Sequence, residues 1–446
     1  MKKSMGIGLI LFLICGFMVF AAGSSDKERI QITYSFWGTP DEAKEVQTVA
    51  DRFNRQQDRI QVTVRQIPRD TYEATLTTMA VSGTMPDCGI LAEGVILQFA
   101  NDGLLADVSG MYGANESKPL DSLAFRSPDK KIVAYSVANE ILLLYYNRGM
   151  FDKAGIAYPP ASANNAWTWD QFVDAARRLT VDSAGRNPGQ AGFDRSRIVQ
   201  YGAMVDTLNW QLEVWVLSNG GGFYSPDGKE VWLNRNETIE AIQRVADLHL
   251  VHNVAPLSPG LSDDGIQRSI IAGNVAMATG GQWNVGTALH TWRESSPNND
   301  YGVAVLPYMK EKVTINTGGA NVVFAQSRNK AAAMEFLKWY AMEENSWGLI
   351  ESGIWMPVLS KFYTNEADTR KWVNNPAFPP YAEYKSAVVD YAVRYARPTA
   401  WYYTPNTASV NNILSSILGP VWTGQQTARA AITNNLTALR NAHAGR

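Results

Sequence analysis

The chain has 446 residues, more than one hydrophobic core of ordinary size accommodates, so at least two lobes are expected. Its 40 Lys and Arg nearly balance 42 Asp and Glu, and 46% apolar with 18% charged residues is ordinary globular composition. That excludes a disordered polyelectrolyte and a membrane bundle, and gives no sign of a nucleic-acid partner. The excess is aromatic: 14 Trp and 19 Tyr stand against 15 Phe, and rings with a polar tip suit a wet surface that also stacks against something.

The N-terminus reads as an export signal, with Lys2 and Lys3 before an apolar run from Met5 to Phe20, then the small residues Ala21, Ala22 and Gly23. Val19 and Ala21 fit cleavage after residue 21, so 1–21 is the expected signal peptide and the mature chain starts at about Ala22. The run is shorter than the roughly 20 residues a bilayer span needs. Cys15 lies inside it and follows Ile14, which does not favour lipid anchoring. Loss of Lys2 and Lys3 leaves 38 basic against 42 acidic residues, a formal charge of −4. Cys88 is then the only thiol; no intramolecular disulfide forms, and its apolar neighbours make it a buried structural residue.

Alternation from Ile30 to Trp37 predicts a strand, and Gly38-Thr39-Pro40-Asp41 caps a helix with the apolar stripe Ala43, Val46, Val49, Ala50 and Phe53. A strand through Ile60, Val62 and Val64, a helix from Tyr72 to Ala80 and a short buried strand from Cys88 to Leu91 follow. This order is the signature of an α/β lobe with a mostly parallel sheet, whose ligand crevice lies at the carboxyl ends of the strands. Trp37 and Glu93 both fall just past such ends. After a polar stretch, residues 132–146 read as one long strand-like run interrupted at Asn139-Glu140. A second α/β pattern then has helices from about Trp169 to Thr180, capped by Thr168, and from Thr238 to His252, with a surface loop over 182–194. Strands are expected at Val303–Pro307 and Ala320–Ala325, a helix at Asn329–Met342, and a largely helical last hundred residues.

Few motifs for chemistry are present. His249 and His252 share a helix face, but nothing completes a zinc set, and there is no nucleophile elbow, P-loop or dinucleotide fingerprint. No cofactor or metal is expected. Glu93 and Glu140, in apolar surroundings near strand ends, are the candidates for a glycoside-hydrolase carboxylate pair. Tyr145-Tyr146 and Tyr402-Tyr403 are paired phenolates of the kind a ferric-ion binder uses, although alternation in the first pair sends one ring inward and one outward, and core packing explains it better. The remaining signal is Trp: Trp37, Trp210, Trp215, Trp283, Trp355 and Trp401 lie mostly in loops or beside glycines. A sugar has an apolar CH face and polar edges, and wants a flat ring beneath it with carboxylates or amides around its rim.

An ordered set of motifs spans most of the mature chain: Ile32-Thr33-Tyr34-Ser35-Phe36-Trp37-Gly38, Met85-Pro86-Asp87 with Asp102-Gly103-Leu104-Leu105-Ala106-Asp107, Leu144-Tyr145-Tyr146-Asn147-Arg148, Trp167-Thr168-Trp169-Asp170, Ala272-Gly273-Asn274-Val275-Ala276-Met277 running into Gly281-Gln282-Trp283, and Tyr301-Gly302-Val303. The series resembles family 1 extracellular solute-binding proteins, the carbohydrate-binding subunits of ABC importers. The resemblance implies an α/β, two-lobed periplasmic-binding-protein-like fold of type II, with lobes joined by a three-crossing hinge and a ligand cleft between them. It implies a lobe of 22–139 plus about 322–361, and another of about 140–321 plus 362–446. It further implies an exported, periplasmic or extracytoplasmic monomer that delivers a mono- or oligosaccharide to membrane permease subunits, without catalysis. By the same resemblance Glu140 matches a sugar-contacting Glu of the family's maltodextrin-binding member, Trp283 a stacking Trp, and Trp210 falls near a stacking Tyr. Trp37, Glu93 and Trp355 follow the family's placement of ligand residues in loops, and Trp401 or Tyr402 adds a ring from the second lobe. Leu91 and Gly94 stand where the maltodextrin binder has a stacking Trp and a contacting Asp, so its glucan specificity does not carry over.

Overall fold

The alternation that opens the described chain is a strand because its buried residues, Ile32 and Tyr34, recur at the two-residue period of a pleated sheet. The computed structural model describes residues 29–37, 40–68, 71–257, 269–286, 288–296, 300–342, 345, 350, 351, 353 and 355–446; the expected signal segment lies outside them. Thirteen strands are found among these: β1 (Ile30–Trp37), β2 (Ile60–Ile67), β3 (Cys88–Leu91), β4 (Ala124–Arg126), β5 (Ile132–Ser136), β6 (Glu140–Asn147), β7 (Val181–Asp182), β8 (Ile198–Met204), β9 (Val275–Gly281), β10 (Tyr301–Ala304), β11 (Thr314–Thr317), β12 (Ala320–Val323) and β13 (Ala396–Pro398). They form two sheets, the core of a two-lobed α/β fold.

The first sheet has the order β2-β1-β3-β12-β5-β4. Parallel pairing sets Ile30 against Ile60 and Trp37 against Ile67, and β12 runs antiparallel between β3 and β5. Helices α1 (Pro40–Gln56) and α2 (Tyr72–Ser82) supply its parallel crossovers, and α3 (Glu93–Asn101) follows β3. Its core includes Tyr34, Phe53 and Phe336, with Phe336 edge-on to both other rings. Cys88 is fully buried, and burial pushes its thiol well above the ordinary value.

The second sheet has the order β13-β11-β6-β9-β8-β7, with β10 also on β6. Helices α4 (Arg148–Ala154), α5 (Trp169–Leu179), α6 (Asn209–Ser218) and α7 (Asn236–Leu250) belong to it. Thr168 and Gln171 form a reciprocal capping box that fixes the start of α5. Tyr145 and Tyr146 are both buried, contrary to the expected inward and outward pair, because β6 is an interior strand covered on both faces. Ring contacts then separate them, Tyr145 meeting Tyr301 and Tyr146 meeting Phe151.

Residues 132–146 are two strands in two sheets rather than one run. The chain passes between sheets over Val137–Asn139, where buried Asn139 donates from its backbone to Met356 (3.2 Å) and from its amide to Tyr363 Oη (2.9 Å), and accepts from Asn316 (2.7 Å). These bonds satisfy the polar group that interrupts the apolar pattern. The return passage is Gly318–Gly319, between β11 and β12. The third lies between the helix Lys330–Tyr340, packed on the first sheet, and the helix Lys361–Thr364, whose Phe362 belongs to the second core.

Candidate functional site

The site is built where the first sheet's carboxyl ends meet the second lobe. β1 ends in Trp37, half-buried and edge-on to Tyr72 at 5.5 Å. β3 ends just before Glu93, the first residue of α3, and β6 starts with Glu140. All three converge on the Gly318–Gly319 passage. A Cβ on Gly319 would lie 3.1 Å from the Trp37 ring, and one on Gly318 would lie 3.5 Å from Glu140 Oε2 and 3.2 Å from the Ala138 carbonyl. Gly318 also has φ of +126°, a conformation L side chains rarely adopt. Gly318→Ala is therefore expected to cost about 1–3 kcal/mol in chemical denaturation, and a smaller loss would show that the turn relaxes freely.

Glu93 is 8% exposed; it accepts from Thr317 Oγ1 at 2.8 Å and from the Gly318 backbone N–H. Its carboxylate thus braces the passage between the lobes. Burial raises its pKa to about 7, and the two hydrogen bonds oppose that rise. From the other lobe comes Glu213, on α6 and 3% exposed, which accepts from the Ala400 N–H at 3.0 Å. Burial, opposed by the Ala400 bond and reinforced by the negative charge of Glu93, raises it to about 8. The charge of Glu93 thus reaches a carboxyl group on the opposite lobe. The sequence reading did not select Glu213; the signal was a single carboxylate inside the apolar run Leu212-Glu213-Val214-Trp215-Val216-Leu217.

Tyr402 crosses between the lobes. β13, just before it, pairs with β11 of the second sheet, yet the Tyr402 ring sits in the first lobe. It stacks on Phe125 at 3.8 Å with 12° between planes, hydrogen-bonds through Oη to Ser136 Oγ at 2.8 Å, and is 2% exposed. Burial, with the charges of Glu93 and Glu140, pushes its phenol well up. It is a wedge between lobes rather than an open face; Trp401 beside it is half-buried.

Trp210 lies in the first turn of α6, three residues before Glu213, and shares its face. Trp283 follows β9 on a short helical turn, Gln282–Gly286. The two half-buried rings meet at 6.2 Å with 33° between planes. The Trp283 ring lies over Gly281, in space that any Cβ there would fill, and Gln282 anchors the turn through Gly353 O (2.8 Å) and Tyr384 Oη (3.2 Å). The structure therefore gathers Trp37, Glu93, Glu140 and Tyr402 around the glycine passage and pairs Trp210 with Trp283. Trp355 lies apart, half-buried against the core of Tyr34, Phe53 and Phe336. Flat rings with carboxyl groups beside them can stack a ring and accept from its hydroxyls.

Residues 38–346 match the model of the family described as bacterial extracellular solute-binding protein. The chain is 23% identical over 374 residues to a putative binding protein of Brucella abortus, covering 80% of this chain and 84% of that one. It is 24% identical over 367 residues to the sn-glycerol-3-phosphate-binding periplasmic protein UgpB of Agrobacterium fabrum, covering 78% of each. Among solved structures, the cyclic alpha-maltosyl-1,6-maltose binding protein from Arthrobacter globiformis superposes with a TM-score of 0.71 at 22% identity, over 94% of this chain and 100% of that one. Among the described residues, no helix is long and apolar enough to cross a membrane.

Proposed function

The chain belongs to the family of bacterial extracellular solute-binding proteins, and from that premise we propose that it captures a mono- or oligosaccharide between its lobes and delivers it to the permease subunits of an ABC importer. The observation that carries the carbohydrate reading is the Trp210–Trp283 pair, one helical turn from the buried Glu213. Two half-buried rings offer flat faces for stacking, and Glu93, Glu140 and Glu213 supply hydroxyl partners. Trp37 walls the first lobe and Trp401 stands beside the Tyr402 wedge, while Trp355, packed on the first-lobe core, is left out of the stacking set. A solved relative that superposes over nearly the whole chain binds an oligosaccharide. Residues 22–139 with about 322–361 form one lobe and about 140–321 with 362–446 the other. The protein is exported with loss of residues 1–21 and acts as an extracytoplasmic monomer without turnover.

A thermal-shift screen against mono- and oligosaccharides identifies the ligand, because a molecule that binds only the folded state raises the melting temperature. Incubation with the same glycosides should yield no product; product formation would instead support Glu93 and Glu140 as a hydrolase pair. Trp283→Ala is expected to weaken the sugar identified in the screen about tenfold, or about 1.4 kcal/mol, with folding intact. Unchanged affinity by calorimetry would refute the stacking role.

A further inference from the structure

A cavity of about 560 Å³ lies between the lobes beside the 397–403 segment. One wall comes from the first lobe, with Arg126 at the end of β4; the other comes from the second, with Tyr224 and Trp232; Arg397, Tyr402 and Tyr403 close it. Both guanidiniums have carboxylate partners that are readily shared. Arg126 pairs at 2.6 Å with Asp121, whose side chain is 92% exposed, and Arg397 pairs at 2.6 Å with the half-exposed Glu311. Exposed pairs of this kind contribute little, and a guanidinium has five N–H donors, so an anion can join them at small cost. Tyr224 lines the cavity with a buried side chain whose hydroxyl has no exposed surface, so it contributes shape rather than a hydrogen bond.

We propose that this cavity is a second ligand site, distinct from the Trp210–Trp283 cleft, and that it takes a sugar acid of the hexuronate class. The carboxylate sits on Arg397 and Arg126, and the ring lies against Tyr403 and Trp232. Glu213 lies against Tyr224 and Tyr403, but its carboxyl, raised to about 8 by burial, is protonated at neutral pH and does not repel the anion. Because the walls come from both lobes, an occupant favours the closed arrangement.

Calorimetry on the full chain at neutral pH tests this with D-glucuronate as probe and D-glucose as the neutral control. Glucuronate binding is expected in the parent and in Trp283→Ala, at least tenfold weaker in Arg397→Gln, and weaker in Arg126→Gln. It should also fall with added salt, as an ion-paired contact does. Unliganded melting temperatures check that the variants remain folded. The proposal is overturned if glucuronate does not bind, if binding survives Arg397→Gln undiminished, if it disappears in Trp283→Ala, or if glucose occupies the site as tightly as glucuronate.

Discussion

Glu213→Gln is expected to stabilise the protein at about pH 9 and to leave it unchanged near pH 4. The carboxyl of Glu213 ionises at about 4.5 in the unfolded chain and at about 8 in the folded one, because burial and the charge of Glu93 disfavour the anion. Between these values the native state keeps a proton that the unfolded state has released, so stability falls as pH rises and the loss is complete above the folded value. Below the unfolded value both states are protonated and there is no contribution. Each tenfold change in ionisation constant is about 1.4 kcal/mol, so the penalty at high pH is on the order of 5 kcal/mol. Gln retains an oxygen for the Ala400 N–H and carries no charge, and so removes the penalty while keeping the bond. Denaturation at the two pH values reads the difference directly. A variant whose stability declines with pH as steeply as the parent's would show that Glu213 is not held in the closed interface. Opening the lobes to water also relieves the penalty, so sugar affinity in the parent is expected to fall as pH rises through the range of about 7 to 8 set by Glu93 and Glu213.

Tyr402→Ala is expected to cost about 3–5 kcal/mol, the range for truncating a buried aromatic. It removes the stack on Phe125, leaves Ser136 Oγ without its phenol partner, and opens a hole in the first lobe's core. Tyr402→Phe keeps the stack and should cost only about 1 kcal/mol, the net value of a hydrogen bond. Because the ring comes from the chain that leaves the second sheet at β13, the Ala variant should also loosen closure and weaken ligand binding beyond its effect on folding. Equal costs for the two variants in urea denaturation would contradict the wedge.

Much of the site was legible before any tertiary contact was known. Trp37 and Glu93 could be placed because alternation located the end of β1 and a short buried apolar run the end of β3, and crevices lie at such ends. Trp283 followed from a glycine pair, and the structure shows the reason: the indole occupies the Cβ space of Gly281. An acid in an apolar helical run such as Glu213 reads as a local exception, and only the charge on the opposite lobe gives it significance. The sequence neighbourhood of Tyr402 belongs to the second lobe, which suggests an open ring where the structure has a buried one.

The sequence by itself determined the strand and helix order of the first lobe through β3, the helices α5 and α7, and the kinship carried by the ordered motifs, but not the strands β4, β7, β8, β9, β11 and β13. Periodicity records which face of each element leaves water, and that is a local property. It does not record which distant element covers that face. Only the tertiary structure therefore decided that residues 132–146 divide between two sheets, that Tyr402 fills the core of the lobe its strand does not belong to, and that the charge of Glu93 reaches Glu213 from the opposite lobe. The charge state of those two carboxyls depends on how little water surrounds them, a quantity set by the closure of one lobe on the other.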